Sequence, residues 1–385
     1  MNSPLKSVAR EAAASADTLP ALLADIRARR AEFIAAQQMP DDIIEGFKRV
    51  GVYRAMVAKR FGGDERTPAE FCRLIEAISE ADGSAGWVAS FGGSAGYLAA
   101  LPEPTLRKLY ANGPDVVFAG GLFPLQPAKR TAEGFVVNGL WKFCSGSTGA
   151  DFIGAGISVD GDSTGGLPRV AVMPAKQVSI RRNWDVIGLQ GTGSHDIVVK
   201  DVVVPEEWTM IRGGAASVDL PIYRYPSLPM AAQVLAIVGI GVARSALDDV
   251  IAMAGGRASI TGAPVMADRG YVQLEIARAE ALLRSARSFF YEATEELWDE
   301  VQAGPPSQKT MTVMRLAATH AAHTGAEVAR IACTLAGTTS IYTTHNLARA
   351  MCDALVVAQH AFLSEGTLQS AGRILLGLPA QPGFP

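Results

Sequence analysis

The sequence predicts an α+β protein with a helical N-terminal domain over 1–115, a β domain over 116–215 and a C-terminal four-helix bundle with a tail over 216–385. Three observations predict it. Leu22, Leu23, Ile26, Phe33 and Ile34 recur at helical intervals on an Arg-rich segment. Short β-rich runs then follow, Val116-Val117-Phe118, Phe135-Val136-Val137, Ala171-Val172-Met173 and Ile197-Val198-Val199, separated by Gly, Pro, Asp and Asn. Short strands at such spacing suggest a sandwich or barrel. Finally, Tyr271–Val301 contains neither glycine nor proline, which suits one long helix.

The elements follow in order. Pro40 interrupts the first helical stretch, and Asp41 stands where an N-cap would begin the next. Thr67-Pro68-Ala69-Glu70 has the form of a helix start, with Thr as cap, Pro in the first helical position and Glu placed to close a capping box. The helix it opens runs through Leu74, Ile75 and Ile78. After the strands, helices are expected near 226–255, over Tyr271–Val301 with Gly304-Pro305-Pro306 as its stop, over 310–335, and unbroken over 345–372. The apolar run Met230–Ala243 is too short to span a bilayer and reads as a buried helix. The tail from Leu378 reads as a mobile or subunit-draped end.

Composition narrows the function. Apolar residues make up 49% of the 385, charged residues 19%, and the net charge is -3, which excludes a disordered polymer and argues against a nucleic-acid or acidic-membrane partner. Cys72, Cys144, Cys333 and Cys352 are scattered with no CxxC pair, as expected of reduced thiols in a cytoplasmic protein. Glu11 and Asp17 interrupt the N-terminus, so no export signal is read there. His320 and His323 lack the Glu-x-x-His repeats of a bundle metal site, and no metal is expected.

Three segments carry chemistry. Gly139-Leu140-Trp141-Lys142-Phe143-Cys144-Ser145-Gly146 follows a strand. Trp184 to Ser194 ends in Gly191-Thr192-Gly193-Ser194 and runs on to Asp201-Val202-Val203-Val204-Pro205. Its small residues admit close backbone approach to a planar ligand, and its N–H and hydroxyl groups can bind oxygens or ring nitrogens. A glycine hairpin is the other reading of that segment alone. Asn346-Leu347-Ala348-Arg349 leads to Asp353 and, seven residues on, His360. On a continuous helix these last two share a face.

In this order and spacing the segments resemble the acyl-CoA dehydrogenase superfamily. More narrowly they resemble its two-component flavin-dependent monooxygenases, such as the oxygenase components of p-hydroxyphenylacetate and steroid-phenol hydroxylases. The match runs from Phe61-Gly62-Gly63 to Gly372-Arg373-Ile374-Leu375-Leu376-Gly377 and implies the acyl-CoA dehydrogenase fold. It implies that Ser145 supports the N5 side of a flavin, that Trp141, Phe143 and Cys144 line it, and that Thr192, Gly193 and Ser194 form a second cofactor-binding turn. Arg257, with Gln273 nearby, would reach cofactor phosphates. His360 would be catalytic, accepting a substrate proton or hydrogen-bonding oxygen on the flavin. Arg349 and Asp353 would hold the bundle and loop in place. Phenol-hydroxylating relatives often carry a second histidine eight residues after the tryptophan matching Trp87; here Ala95 occupies that position.

The resemblance further implies reduced FMN or FAD supplied by a separate NAD(P)H-flavin reductase, O2 as co-substrate, a C4a-(hydro)peroxyflavin, a small organic and aromatic substrate, and a homotetramer. The chain has no GxGxxG fingerprint of its own for a nicotinamide cofactor, which fits that division. N- or S-oxygenation within the same branch is an alternative. A true acyl-CoA dehydrogenase is another, with Glu365 of Ser364-Glu365-Gly366-Thr367 as the base.

Overall fold

The computed structural model describes residues 4–162, 167–255, 264–381 and 384, with side chains from residue 19 onward. Its helices before the strands are α1 (Pro4–Ala36), α2 (Asp41–Arg49), α3 (Pro68–Ala81), α4 (Gly83–Ser90), α5 (Ala95–Leu98) and α6 (Glu103–Leu109). The strands are β1 (Phe118–Pro127), β2 (Lys129–Thr131), β3 (Gly134–Trp141), β4 (Phe152–Ser158), β5 (Arg169–Pro174), β6 (Ser179–Arg181), β7 (Asp196–Val204) and β8 (Thr209–Ile211). Then come α7 (Pro221–Arg224), α8 (Ser227–Ala254), α9 (Gly270–Ala303), α10 (Gln308–Ala336), α11 (Asn346–Ala358) and α12 (Glu365–Leu375). The chain divides into two compact units, each assembled from separate stretches of sequence.

The first unit comprises Met1–Thr67, Val88–Asp185 and Gln190–Ser227. Its centre is a pair of four-stranded sheets, ordered β1-β4-β5-β8 and β2-β3-β7-β6. All ladders are antiparallel except β1 with β4. Alternate side chains of β3 and β7 point inward, Phe135, Val137 and Trp141 with Ile197 and Val199, and meet Ile153, Ile157, Ala171 and Met173 of the other sheet. The Trp141 indole N–H donates to the Gly156 carbonyl at 2.9 Å, giving a deeply buried donor its partner. At the start of α2, Pro40 in extended conformation takes the cap position that Asp41 was expected to fill. Asp41 and Asp42 lie instead in the first turn, where negative charge complements the helix dipole.

The second unit comprises Pro68–Trp87, Val186–Leu189 and Leu228–Pro385. In it α8 and α10 cross at small residues: a Cβ on Gly325 would lie 2.6 Å from the Gly239 carbonyl oxygen. The buried Glu76 of α3 takes a bidentate pair from Arg287 of α9 (2.6 and 3.0 Å) and a hydrogen bond from the Tyr291 hydroxyl at 2.6 Å. Two expectations need correction. The helix containing Met230–Ala243 has 28 residues and is long and apolar enough to cross a bilayer; what marks it as a core helix is that 89% of its apolar window is buried within the protein. The helix expected over 345–372 is broken, since α11 ends at Ala358 and α12 begins at Glu365. Gln359 and His360 N–H groups close off the last carbonyls, and His360 is extended, with Nδ1 accepting the Phe362 N–H at 3.3 Å. His360 therefore does not share a helical face with Asp353.

Candidate active site

In the first unit, two of the predicted segments meet at the ends of β3 and β7. The Cys144 N–H donates to the His195 carbonyl (3.1 Å) and the Gly146 N–H to the Thr192 carbonyl (2.9 Å). These bonds line up three buried hydroxyls, Ser145 Oγ 2.7 Å from Ser194 Oγ and Ser194 Oγ 2.6 Å from Thr192 Oγ1. Gly193 joins the last two in left-handed conformation, φ +58°, with Thr148 and Gln38 against its α-carbon, a place suited only to glycine. Next along the turn, the Ser147 hydroxyl is buried with no hydrogen-bond partner among the described residues.

Phe143 departs furthest from ordinary structure. Its backbone is left-handed (φ +59°), uncommon for a bulky residue, and 70% of the residue is exposed. The ring meets Trp184 edge-on, with centroids 6.1 Å apart. An aromatic group is thus held outward at a conformational cost. Trp141 and Cys144, expected to line the cofactor, are instead completely buried in the sandwich core. Burial pushes the Cys144 thiol up to about 12, so it is a neutral packing group. The two anchor the turn from within; Ser145, Thr192 and Ser194 are buried beside them, and the Phe143 ring projects outward.

His195 was missed by the motif reading. It is fully buried, and its Nδ1 accepts two consecutive backbone N–H groups, from Asn183 (3.0 Å) and Trp184 (3.1 Å). The Asn183 side chain returns a bond by accepting the Asp196 N–H at 3.0 Å. Burial, then the Arg182 charge, lower the His195 pKa; the Gln37 backbone and Asp196 oppose them. The ring is thus neutral, with its proton on Nε2.

In the second unit, the half-buried imidazole of His360 lies between Trp87 (centroids 5.8 Å) and Phe362 (5.2 Å). Burial pulls its pKa down to about 4. Because Nδ1 accepts the Phe362 N–H, the neutral ring carries its proton on Nε2 and offers a hydrogen-bond donor. Helix α10 clamps the His360–Leu363 turn: Arg315 donates to the Phe362 carbonyl (3.2 Å), and His323 Nε2 lies 2.8 Å from the Leu363 carbonyl. His323 is thereby a structural contact of the turn.

Asp353 is also buried, and its Oδ1 accepts the Leu189 N–H at 2.6 Å. Its Oδ2 and that of Asp82 flank Arg349 at 3.9 and 3.6 Å, and Arg349 also bonds Asn346. The segment Val186–Leu189, which continues the Trp184 loop, is so pinned to α11. Gly188 allows this close approach, since a Cβ there would lie 2.4 Å from the Cys352 carbonyl oxygen. Glu365 stands exposed at the start of α12. Arg257 lies outside the described residues, and Gln273 is exposed, donating to the Ala267 carbonyl.

Residues 233–365 match the family model described as acyl-CoA dehydrogenase, C-terminal domain. The chain is 52% identical over 383 residues to an indole-3-acetate monooxygenase of Pseudomonas putida, covering 99% of this chain and 98% of the relative. It is 51% identical over 370 residues to the enzyme of that name from Acinetobacter baumannii, covering 95% of each. Among solved structures, XiaF from Streptomyces sp., in complex with FADH2 and glycerol, superposes with a TM-score of 0.90 at 19% identity, covering 99% of this chain and all of the other. The 3-HSA hydroxylase from Rhodococcus sp. RHA1 gives 0.88 at 24% identity, covering 96% and 98%. The acyl-CoA dehydrogenase fold is shared throughout, and the curated relatives are monooxygenases, so the dehydrogenase alternative with Glu365 as base falls away. The chain belongs to the two-component flavin-dependent monooxygenases of the acyl-CoA dehydrogenase superfamily.

Proposed function

We propose that this oxygenase inserts oxygen into the indole ring of indole-3-acetate or a closely similar indole-bearing acid. The observation that carries the reading is the pair of near-full-length relatives at 52% and 51% identity, both named for that substrate. Two features of the chain support it. Ala95 is buried where phenol hydroxylases often place a second histidine, leaving one fewer group to ionise a phenol. His360, neutral with its proton on Nε2, is suited to donating a hydrogen bond. An indole needs no ionisation, because its pyrrole nitrogen already makes the ring carbons nucleophilic.

The residues of the first unit fit a flavin. Phe143 offers an exposed aromatic wall, the Ser145–Ser194–Thr192 chain supplies hydroxyls for ring heteroatoms, and Ser147 holds a buried hydroxyl in need of a partner. Reduced flavin, delivered by a separate reductase, supplies the two electrons with which O2 yields one oxygen atom for the substrate and one for water. In the first unit Ser145 would support the N5 edge of the ring; in the second, the His360 Nε2–H would donate a hydrogen bond to an oxygen.

The test is a single turnover in 18O2 with reduced FAD or reduced FMN and indole-3-acetate. A product carrying one 18O atom, in yield approaching the flavin supplied, is expected. Hydrogen peroxide in that yield with unchanged indole-3-acetate, or preferential oxygenation of a simple phenol, would overturn the substrate. Homotetrameric assembly is part of the proposal, supported by large apolar side chains left exposed at Tyr271, Leu274, Ile341 and Tyr342 and checked by light scattering. So is a cytoplasmic location, supported by four free cysteines and checked by fractionation.

A further inference from the structure

We infer that His195 is a positioning residue for the flavin turn, acting through the unprotonated Nδ1 of its imidazole. The ladder between β6 and β7 closes at the pair Arg181↔Asp196. Beyond it residues 183 and 184 lie outside any strand, and the His195 side chain accepts both of their N–H groups. At the same residue the main-chain carbonyl accepts the Cys144 N–H, and the preceding residue is Ser194, whose hydroxyl joins Ser145 to Thr192. His195 thus ties three things to one rigid point: the Phe143–Ser145 turn, the Trp184 backbone whose ring meets Phe143, and the hydroxyl chain. A Cβ-only side chain would leave two neighbouring amides without their acceptor and free Trp184 to leave the face of Phe143. His195 touches neither flavin nor substrate in this scheme; it sets the geometry of groups that do.

The chemistry names its own discriminating variants. An Asn carboxamide oxygen falls near the place of Nδ1, whereas a Gln oxygen falls near that of Nε2. His195→Asn should therefore keep the two amides bonded, and His195→Gln and His195→Leu should not. Each is compared with wild type for the dissociation constant of reduced flavin, the ratio of oxygenated product to hydrogen peroxide, and hydrogen exchange at the Asn183 and Trp184 amides without flavin. Expected for Gln and Leu is a loss of roughly tenfold or more in flavin affinity, from one or more lost hydrogen bonds, with a shift toward peroxide. Both amides should then exchange faster, while Asn stays within about threefold of wild type throughout. If Leu does not fold, the Asn–Gln pair alone decides. Equal behaviour of Asn and Gln, or Gln amides as protected as those of wild type, overturns the inference. It rests on residues 142–146 binding flavin, and that reading fails separately if wild type does not bind reduced flavin; the exchange measurement is independent of it.

Discussion

Replacing Asp353 by Ala tests the latch on the Val186–Leu189 segment most directly. In the native chain the Leu189 amide donates to a fully buried carboxylate at 2.6 Å, a short charge-assisted bond. Such bonds contribute about 1.5–3 kcal/mol. Leu189 is itself left-handed, φ +52°, so the segment has a strained conformation to relax from once released. At 1.36 kcal/mol per tenfold, Asp353→Ala should accelerate exchange of the Leu189 amide by roughly 10- to 150-fold. The partly buried Arg349 keeps Asp82 at 3.6 Å and Asn346, so the global loss should be about 2–3 kcal/mol, below the figure of about 3–5 for an orphaned ion. Asp353→Asn is the control, since its Oδ1 can still accept from Leu189. It should leave that amide within about threefold of native exchange while losing part of the global stability. Hydrogen exchange read by NMR or by mass spectrometry of overlapping peptides, with urea unfolding alongside, gives both quantities. Leu189 exchange unchanged in Asp353→Ala, or equally fast in the Asn and Ala variants, would refute the latch.

Three other outcomes are expected. His360 is held neutral at about 4 against an ordinary 6.5, so its contribution is complete above pH 6.5 and drains away as the pH falls toward 4. That loss is at most about 3 kcal/mol, and unfolding midpoints at pH 7 and 5 should converge in His360→Gln. Gly325→Ala places a methyl 2.6 Å from the Gly239 carbonyl oxygen, and urea unfolding should record a loss of about 1–3 kcal/mol. Glu76→Ala strips Arg287 and Tyr291 of their shared partner, but the half-exposed Arg287 stays solvated, so the same assay should record about 1–3 kcal/mol, with Glu76→Gln milder.

Where a structure follows from local periodicity it was legible: the Gly- and Pro-free run Tyr271–Val301 became α9, Gly270–Ala303. The break at 359–364 was not, because no glycine or proline marks it and it depends on the His360 ring capping its own turn and on contacts from α10. The Asp353–Leu189 bond, joining residues 164 apart, was equally out of reach of a local pattern. The candidate site divides differently. The motif match treated the residues of one turn as one kind, whereas the strand that leads into it sorts its side chains by parity. Phe135, Val137 and Trp141 share the odd face of β3 and go into the core, and on β7 the odd residues Ile197 and Val199 do the same. Continued back by one step, that alternation places His195 inside as well, where a buried imidazole must find bonds for its nitrogens, and Nδ1 finds them on the loop that carries Trp184. Parity accounts for Trp141 and His195, whereas Phe143, Cys144 and Ser145 lie past the last residue of β3 and follow the turn instead, which sends the Phe143 ring outward and buries Cys144 and Ser145.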